Sequence, residues 1–169
     1  MPQPDGVIER HFTATAYIVA AGHVLLLWHQ ALGMWLPPGG HCEPNEDPVQ
    51  AAEREAEEEA GVPVAVIRPP GLIEMNVPRV LPPPAVILVE DIVRADQPFH
   101  QHIDCIYFTR PVDAVDRDAP IPHGPHAWVT REQLAGEFSL PVPGGSLVGV
   151  AEDVRLLGVQ AIDAAAATE

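Results

Sequence analysis

The segment over residues 40–62, GHCEPNEDPVQAAEREAEEEAGV, constrains the fold and chemistry of this 169-residue chain more than any other feature. Asp47 followed by Pro48 is typical of a helix N-cap with proline in the first helical position, and Gly61 is typical of a helix stop. The segment therefore predicts a helix over residues 48–60. Its apolar stripe would consist of Val49, Ala52, Ala56 and Ala60.

Three carboxylates share one face of that helix, because Glu55, Glu58 and Glu59 stand at positions i, i+3 and i+4. Like charges so placed repel by roughly 0.2–0.5 kcal/mol per pair on an isolated helix. A bound divalent cation would turn that repulsion into coordination, and oxygen-only ligands favour Mg²⁺ or Mn²⁺ over zinc. We interpret this face as a metal site, and Glu53 and Glu57 as charges that face solvent.

The composition narrows the classes of partner. The formal charge is −15, from 24 acidic residues and nine basic ones, and all nine are arginines. Such a chain lacks the basic surface that a nucleic-acid polymer or an anionic membrane requires. An anionic small molecule could still bind where metal ions neutralise the acidic side chains. Any phosphate contact from a cationic side chain must then come from an arginine or a histidine.

The chain also carries few signals for export. It has no run of about eighteen uncharged apolar residues, as a membrane span would need. Its start, MPQPDGVIERH, lacks the basic and apolar blocks of a signal peptide. Cys42 and Cys105 are too few for a disulfide framework. We therefore expect a cytoplasmic protein.

Strand and helix patterns alternate along the chain. Residues 12–20 and 23–28 predict a hairpin around Ala21-Gly22. Thr130 and Gln133 fit a capping box that opens a short helix, and residues 149–165 predict an alanine-rich C-terminal helix. With 47% hydrophobic residues, we expect residues 1–169 to form a single domain of the α/β or α+β class. Further strands are predicted at residues 64–67, 71–75, 85–93, 103–109 and 127–129.

Residues 40–62 also match a longer spacing pattern, the Nudix box G-x5-E-x7-R-E-U-x-E-E-x-G-U, where U is a bulky aliphatic residue. The matching residues are Gly40, Glu46, Arg54, Glu55, Glu58, Glu59, Gly61 and Val62. Ala56, in the first U position, is the one soft departure. Trp35, Pro38, Gly39 and Glu43 extend the match upstream, and Trp128 with residues 130–134 extends it downstream. The chain therefore resembles the MutT-like Nudix hydrolase family over residues 12–134.

This resemblance implies a fold and an activity. The fold is an α/β/α sandwich with a mixed central sheet. The activity is Mg²⁺- or Mn²⁺-dependent hydrolysis of a diphosphate bond in a nucleoside diphosphate derivative or a nucleoside di- or triphosphate. Pro78 stands sixteen residues after Val62, a spacing loosely associated in the family with ADP-ribose pyrophosphatases, so an ADP-ribose-like substrate is slightly favoured. Dimers are common in the family, and a homodimer is compatible with the resemblance.

Roles carried over from the family fall on the box residues. Glu58, Glu59 and the Gly39 carbonyl resemble direct metal ligands. Glu55 resembles a further ligand or the base that takes a proton from the attacking water. Arg54 would orient Glu55 by a charge-assisted hydrogen bond. The implied catalytic set is therefore Glu55, Arg54 and Glu58.

The remaining box positions resemble structural ones. Glu46 would brace the box, with Arg54 as its expected partner, while Gly40 and Gly61 allow close approach and a turn. Many relatives place one more acidic residue in the loop before the strand at 127–129, whereas residues 121–126 contain no carboxylate. We favour Glu55 as the base. The alternatives are His123, His126 and Asp118.

Candidate substrate contacts lie outside the box, at Arg79, His102, Asp104 and His126. His100, His102 and Asp104 share one strand face by the two-residue period. They form either a metal or phosphate contact at the pocket mouth or a polar edge leading into the strand at 103–109. Two histidines with this spacing can chelate zinc, but the sequence assigns no third ligand.

Two other functions on the same fold stay open. An isopentenyl diphosphate isomerase would need a catalytic cysteine, and Cys42 and Cys105 are weak matches to that role. A noncatalytic nucleotide sensor often loses glutamates of the box, whereas this chain retains all of them. The complete box therefore favours an enzyme that hydrolyses its ligand.

Overall fold

The computed structural model describes residues 6–75, 77–122 and 124–168. Three helices and ten strands are assigned within these ranges. Among the described helices, none is both long and apolar enough to span a membrane. In chain order the elements are β1 (Arg10–Ala20), β2 (His23–His29), β3 (Met34–Leu36), β4 (Gly39–His41), α1 (Pro48–Ala60), β5 (Val64–Val66), β6 (Val86–Ile92), β7 (His100–Pro111), β8 (His126–Thr130), α2 (Arg131–Ala135), β9 (Ser139–Pro141), β10 (Leu147–Gly149) and α3 (Glu152–Ala166).

The strands β1 and β7 lie side by side at the centre of a mixed sheet of eight strands. They run parallel, with Arg10 opposite Gln101 and Ile18 opposite Thr109 at the two ends of the ladder. On its other edge β1 pairs antiparallel with β4 and then with β2. Strands β5 and β6 pair with β7, while β3 and β8 pair with β2. The remaining strands, β9 and β10, form a separate hairpin.

Alternate residues of β1 face two different helical layers, as the two-residue period of a strand requires. Ala14, Ala16 and Ile18 belong to a buried cluster with the alanines of α1. Tyr17 and Val19 belong to a second cluster, with α3. Alanine side chains on both β1 and α1 let this helix lie close to the sheet. The protein is therefore the α/β/α sandwich that the resemblance implied, and the fold prediction is confirmed.

Helix α1 begins and ends where the sequence predicted. The Asp47 carboxylate accepts hydrogen bonds from the amides of Val49 and Gln50 at 3.0 and 3.1 Å. The Gln50 side chain in turn accepts one from the Asp47 amide at 3.0 Å. Gly61 closes the helix in the left-handed conformation, with φ of +67°. The capping box that opens α2 is also present, with Thr130 as N-cap.

Four sequence predictions differ from the structure. Residues 71–75, predicted to be a strand, are not one: they are mostly exposed and pair with no described strand. Prolines flank this segment at 69, 70 and 78, and proline cannot donate to a sheet ladder. Strand β7 begins at His100 rather than at residue 103, because β6 supplies a partner from His100 onward and β1 from Gln101 onward. The C-terminal helix α3 begins at Glu152 rather than at residue 149, because Gly149 pairs with Ser139 in β10. The short strands β3, β4, β9 and β10 were not predicted.

Candidate active site

Arg54 on α1 holds the carboxylates of the box together. Its Nε and Nη2 donate to the two oxygens of Glu46 at 2.9 and 3.0 Å, so the predicted pairing is present and two-pronged. Its Nη1 donates to Glu55 Oε1 at 2.8 Å and to Glu58 Oε2 at 3.0 Å. Nη2 also donates to the His41 carbonyl at 3.0 Å. One guanidinium thus orients three carboxylates and ties α1 to β4.

The charges of this group do not balance. Glu46, Glu55 and Glu58 together carry three negative charges against the single positive charge of Arg54. The Arg54 hydrogen bonds lower the pKa of Glu46, and the same bonds raise the pKa of Arg54, so that pair stays ionised. Glu46 is 12% exposed and Glu55 14%, whereas Glu58 is 60% exposed. Glu46 braces the arginine, and Glu55 and Glu58 keep an excess of negative charge that a cation can neutralise.

Gly39 and Gly40 bring β4 against these carboxylates. Strand β4 bonds to β1 on both sides of Gly39: Ala16 N donates to Pro38 O and Cys42 N donates to Phe12 O, both at 2.9 Å. In an antiparallel ladder the residues between such bonded pairs turn their amide and carbonyl groups away from the partner strand, so those of Gly39 point away from β1. Its amide donates to Glu59 Oε2 at 3.2 Å, so its carbonyl is directed to the same side. At Gly40 a Cβ would lie 2.3 Å from Glu55 Oε1. Only glycine leaves room there for that carboxylate.

A cleft of about 210 Å³ lies on the α3 side of the sheet, next to this group. Gly39 and Gly40 line the cleft, and the same two glycines contact Glu59 and Glu55. The cleft therefore opens beside the carboxylates. Its other polar lining comes from alternate positions of β1, β4, β6 and β7 and from α3, and includes Thr13, Thr15, His41, Glu90, His102, Asp104 and Asp153.

The interior of the cleft is acidic. Asp104 is 5% exposed and accepts hydrogen bonds from Thr13 at 3.0 Å and from Thr15 at 2.8 Å. Burial raises the pKa of Asp104, and the two threonine hydroxyls oppose that shift. The pKa of Glu90 is also raised, first by burial and then by the negative charges of Asp104 and Asp153. These side chains present hydrogen-bond acceptors to a ligand.

The structure brings only some of the predicted substrate contacts together. His102 and Asp104 line the cleft as part of β7, so they are not the polar edge of a later strand. Arg79 instead pairs with Asp47 at the N-terminus of α1. His126 lies on β8 and lines a separate hollow with Asp118. Neither Arg79 nor His126 lines the cleft.

The alternatives to Glu55 as base therefore lie apart from the cleft where they are described, and His123 lies outside the described residues. Sequence reasoning missed Thr13, Thr15, Glu90 and Asp153. The threonines alternate along β1, which is a signal of a shared strand face. Their partner Asp104 is 91 and 89 residues away, however, and only the parallel register of β1 and β7 brings it opposite them.

Comparison with known proteins agrees with this fold. The family model described as the NUDIX domain matches residues 9–143. A NUDIX-family hydrolase from Clostridium perfringens is 28% identical, with 92% of this chain and 98% of that chain covered and a TM-score of 0.68. The MutT protein from Methanosarcina mazei Go1 is 17% identical, with 92% and 94% covered and a TM-score of 0.54. A UDP-X diphosphatase is 17% identical, with 94% and 66% covered and a TM-score of 0.54.

None of the curated proteins compared with the chain matches it. The family model nevertheless covers most of the chain. Glu46 and Glu55 of the box also converge in space on Arg54. The chain belongs to the Nudix family. Within that family it is a Nudix hydrolase, an enzyme that cleaves pyrophosphate bonds.

Proposed function

We propose that this hydrolase cleaves the diphosphate bond of a nucleoside diphosphate derivative and that an ADP-ribose-like molecule is its preferred substrate. The observation that carries the proposal is the meeting of the α1 carboxylates with the cleft at Gly39 and Gly40. In this arrangement the diphosphate lies at the carboxylates and the rest of the substrate extends into the cleft.

The donor set fits a hard divalent cation. Glu55, Glu58 and Glu59 offer carboxylate oxygens, and Gly39 offers a carbonyl oxygen directed to the same side as its amide. Oxygen donors of this kind suit Mg²⁺ or Mn²⁺. The chemistry such a cation supplies is neutralisation of charge on the diphosphate oxygens and activation of a bound water. We propose these four residues as its ligands.

The protein side chains then supply proton transfer and positioning. Glu55 takes the proton of the water that attacks phosphorus, since Arg54 holds its carboxylate from one side and Gly40 limits it from the other. The new bond joins the water oxygen to phosphorus, and the bond from that phosphorus to the bridging oxygen breaks. No covalent intermediate with the enzyme is needed. Glu46 acts at a distance by anchoring Arg54.

The acidic lining of the cleft favours a nucleoside diphosphate derivative over a nucleoside triphosphate as substrate. Asp104, Glu90 and Asp153 are acceptors, and none of the described residues that line the cleft is an arginine. Such a lining binds hydroxyl or amino donors and repels additional phosphates. This supports a substrate with its diphosphate at the rim and a ribose or base in the cleft. A nucleoside triphosphate with its phosphates inside the cleft fits less well.

The thiols do not support the isomerase alternative. Burial is the main cause that raises the pKa of Cys42, to about 11. Burial also raises the pKa of Cys105, which is 5% exposed. Both side chains therefore stay protonated and weakly reactive near neutral pH.

A substrate panel with matched variants tests the proposal. We expect release of nucleoside monophosphate from ADP-ribose in millimolar Mg²⁺, with a higher kcat/KM than for nucleoside triphosphates. Glu58→Gln should lower kcat by about 10²–10³-fold, as expected for an electrostatic group of the site. Glu57→Gln is the matched control, because Glu57 is exposed on the same helix and should leave kcat unchanged.

Three results would count against the proposal. Equal activity of the wild type and Glu58→Gln would exclude the proposed role of the α1 carboxylates. A preference for triphosphates would leave the site intact but exclude the substrate class. Tight nucleotide binding by calorimetry, without cleavage of any diphosphate, would favour a sensor.

A further inference from the structure

Three histidines from three different strands meet at one end of the cleft. His11 on β1 stands opposite His102 on β7 in the parallel ladder. His41 on β4 stands opposite Thr13, which lies two residues along β1 from His11 and so points to the same face. Each imidazole offers one nitrogen, and these nitrogens all lie within 4.8 Å of one another. Of the His100–His102 pair that the sequence suggested, only His102 belongs to this group, and the other two ligands come from neighbouring strands.

The spacing of these nitrogens is close to that of a metal site. At a zinc–nitrogen distance of about 2.0–2.1 Å, tetrahedral geometry places ligand nitrogens roughly 3.3 Å apart. Closing the cluster from 4.8 Å would move each nitrogen by less than about 1 Å, within reach of side-chain torsions. The ring centroids of His41 and His102 are 4.7 Å apart, and those of His11 and His41 are 5.4 Å apart. The rings are tilted or edge-on, so they are not simply stacked.

The environment of the His102 ring is also consistent with a role as a metal ligand. Its Nε2 is buried and has no hydrogen-bond partner among the described residues. An imidazole nitrogen without a hydrogen-bond partner can donate its lone pair to a metal ion. Glu9, whose Oε1 lies 3.0 Å from His11 Nε2, adds negative charge at the edge of the cluster.

We infer that His11, His41 and His102 bind a transition-metal ion of the zinc class, at a site separate from the carboxylates. Nitrogen donors select such ions, whereas the oxygen donors of α1 select Mg²⁺. Three protein ligands leave a coordination position open, as in catalytic zinc sites. His41 and His102 both line the cleft. An ion held there would therefore lie beside the part of the substrate that, under the proposed function, enters the cleft.

Metal titration of the full chain tests this site. The protein is stripped with chelator and titrated with Zn²⁺ by calorimetry in millimolar Mg²⁺, which keeps the carboxylates occupied. We expect one Zn²⁺ per chain, and a visible absorption band typical of nitrogen ligands when Co²⁺ replaces it. His41→Gln and His102→Gln should each weaken Zn²⁺ binding by more than about 100-fold, since even loss of an outer partner costs 10–100-fold.

Matched variants separate this site from the carboxylates. His23→Gln, at the start of β2, should bind Zn²⁺ like the wild type, because His23 is not part of the cluster and its ring bonds to the Ala21 carbonyl. Glu58→Gln should also retain Zn²⁺ binding. Should His102→Gln fail to fold, His41→Gln decides the matter, because His41 is exposed.

The inference is overturned if the wild type binds no Zn²⁺ in Mg²⁺, or if His41→Gln binds it as tightly as the wild type. It is also overturned if Glu58→Gln abolishes Zn²⁺ binding, since zinc would then occupy the carboxylates. Because the readout is binding of Zn²⁺ alone, failure here leaves the proposed hydrolysis untouched.

Discussion

Replacing Gly40 with alanine should separate catalysis from stability in this enzyme. The added Cβ would lie 2.3 Å from Glu55 Oε1 and 2.6 Å from Glu55 Cδ, whereas ordinary contact begins at 3.4 Å. The carboxylate must therefore retreat by about 1 Å, which rotation of a flexible side chain allows. That retreat weakens the 2.8 Å hydrogen bond from Arg54 Nη1 to Glu55 Oε1.

The expected magnitudes follow from this displacement. A misplacement of about 1 Å in a reacting group lowers the rate by about 10²-fold, so we expect that loss in kcat for Gly40→Ala. The cost in stability is small, because one weakened hydrogen bond is worth about 0.5–1.5 kcal/mol. Alanine also lowers the entropy of the unfolded chain, which offsets about 0.4–1 kcal/mol of that cost.

The assay compares kcat with the free energy of unfolding in urea. Gly149→Ala is the matched control: Gly149 also lies in a three-residue strand, and the atoms nearest to its Cβ would be 3.9 Å away. It should change neither quantity. The double variant Gly40→Ala/Glu55→Gln should be no slower than Glu55→Gln, because both changes act on the same carboxylate. Full kcat in Gly40→Ala, or losses that multiply in the double variant, would refute this reasoning.

Three further outcomes can be measured on the same protein. Arg54→Lys keeps the charge but loses the two-pronged pairing with the 12% exposed Glu46, so we expect a loss of about 1–3 kcal/mol in urea unfolding. Arg131→Lys is its control, because Arg131 and Asp163 are both 53% exposed and such a surface pair contributes little to stability. The pKa of Glu46 in the folded protein lies below 4.5, because Arg54 hydrogen-bonds to its carboxylate. The stability that this pair contributes is therefore present above pH 4.5 and is lost as the pH falls through the folded-state pKa. Glu46→Gln should therefore flatten the acid limb of a Tm-against-pH profile, and an unchanged limb would contradict the assignment. Gly61→Ala forces a side chain into a φ of +67° and should cost about 1–2 kcal/mol by thermal unfolding, whereas an unchanged Tm would exclude strain there.

The predictions that the structure confirms depend on short-range signals. Asp47 and Gln50 form a capping box across three residues. Gly61 ends α1 because glycine, unlike residues with a Cβ, adopts the left-handed conformation without strain. The pairing of Glu46 with Arg54 spans eight residues and follows from the spacing of the box. Such contacts are determined within one helix and the loop before it. The local sequence is therefore enough to predict them, without knowledge of how the strands pair.

The predictions that were incomplete depend on long-range pairing. Residues 71–75 are apolar enough for a strand, yet no described strand lies beside them. His100, by contrast, belongs to β7 because β6 pairs with that strand at Ile92. Arg79 was a candidate for phosphate, but the fold places it against Asp47. In each case the partner, rather than the local sequence, decides the structure.

The sequence alone determined the family, the bounds of α1 and the carboxylate face with its arginine. Only the tertiary structure decided that the carboxylates meet an acidic cleft at Gly39 and Gly40, and that three histidines converge at its end. The physical reason is the range of the interactions. A helix places its own side chains by its period, whereas the register between strands about ninety residues apart is set by packing against both helical layers.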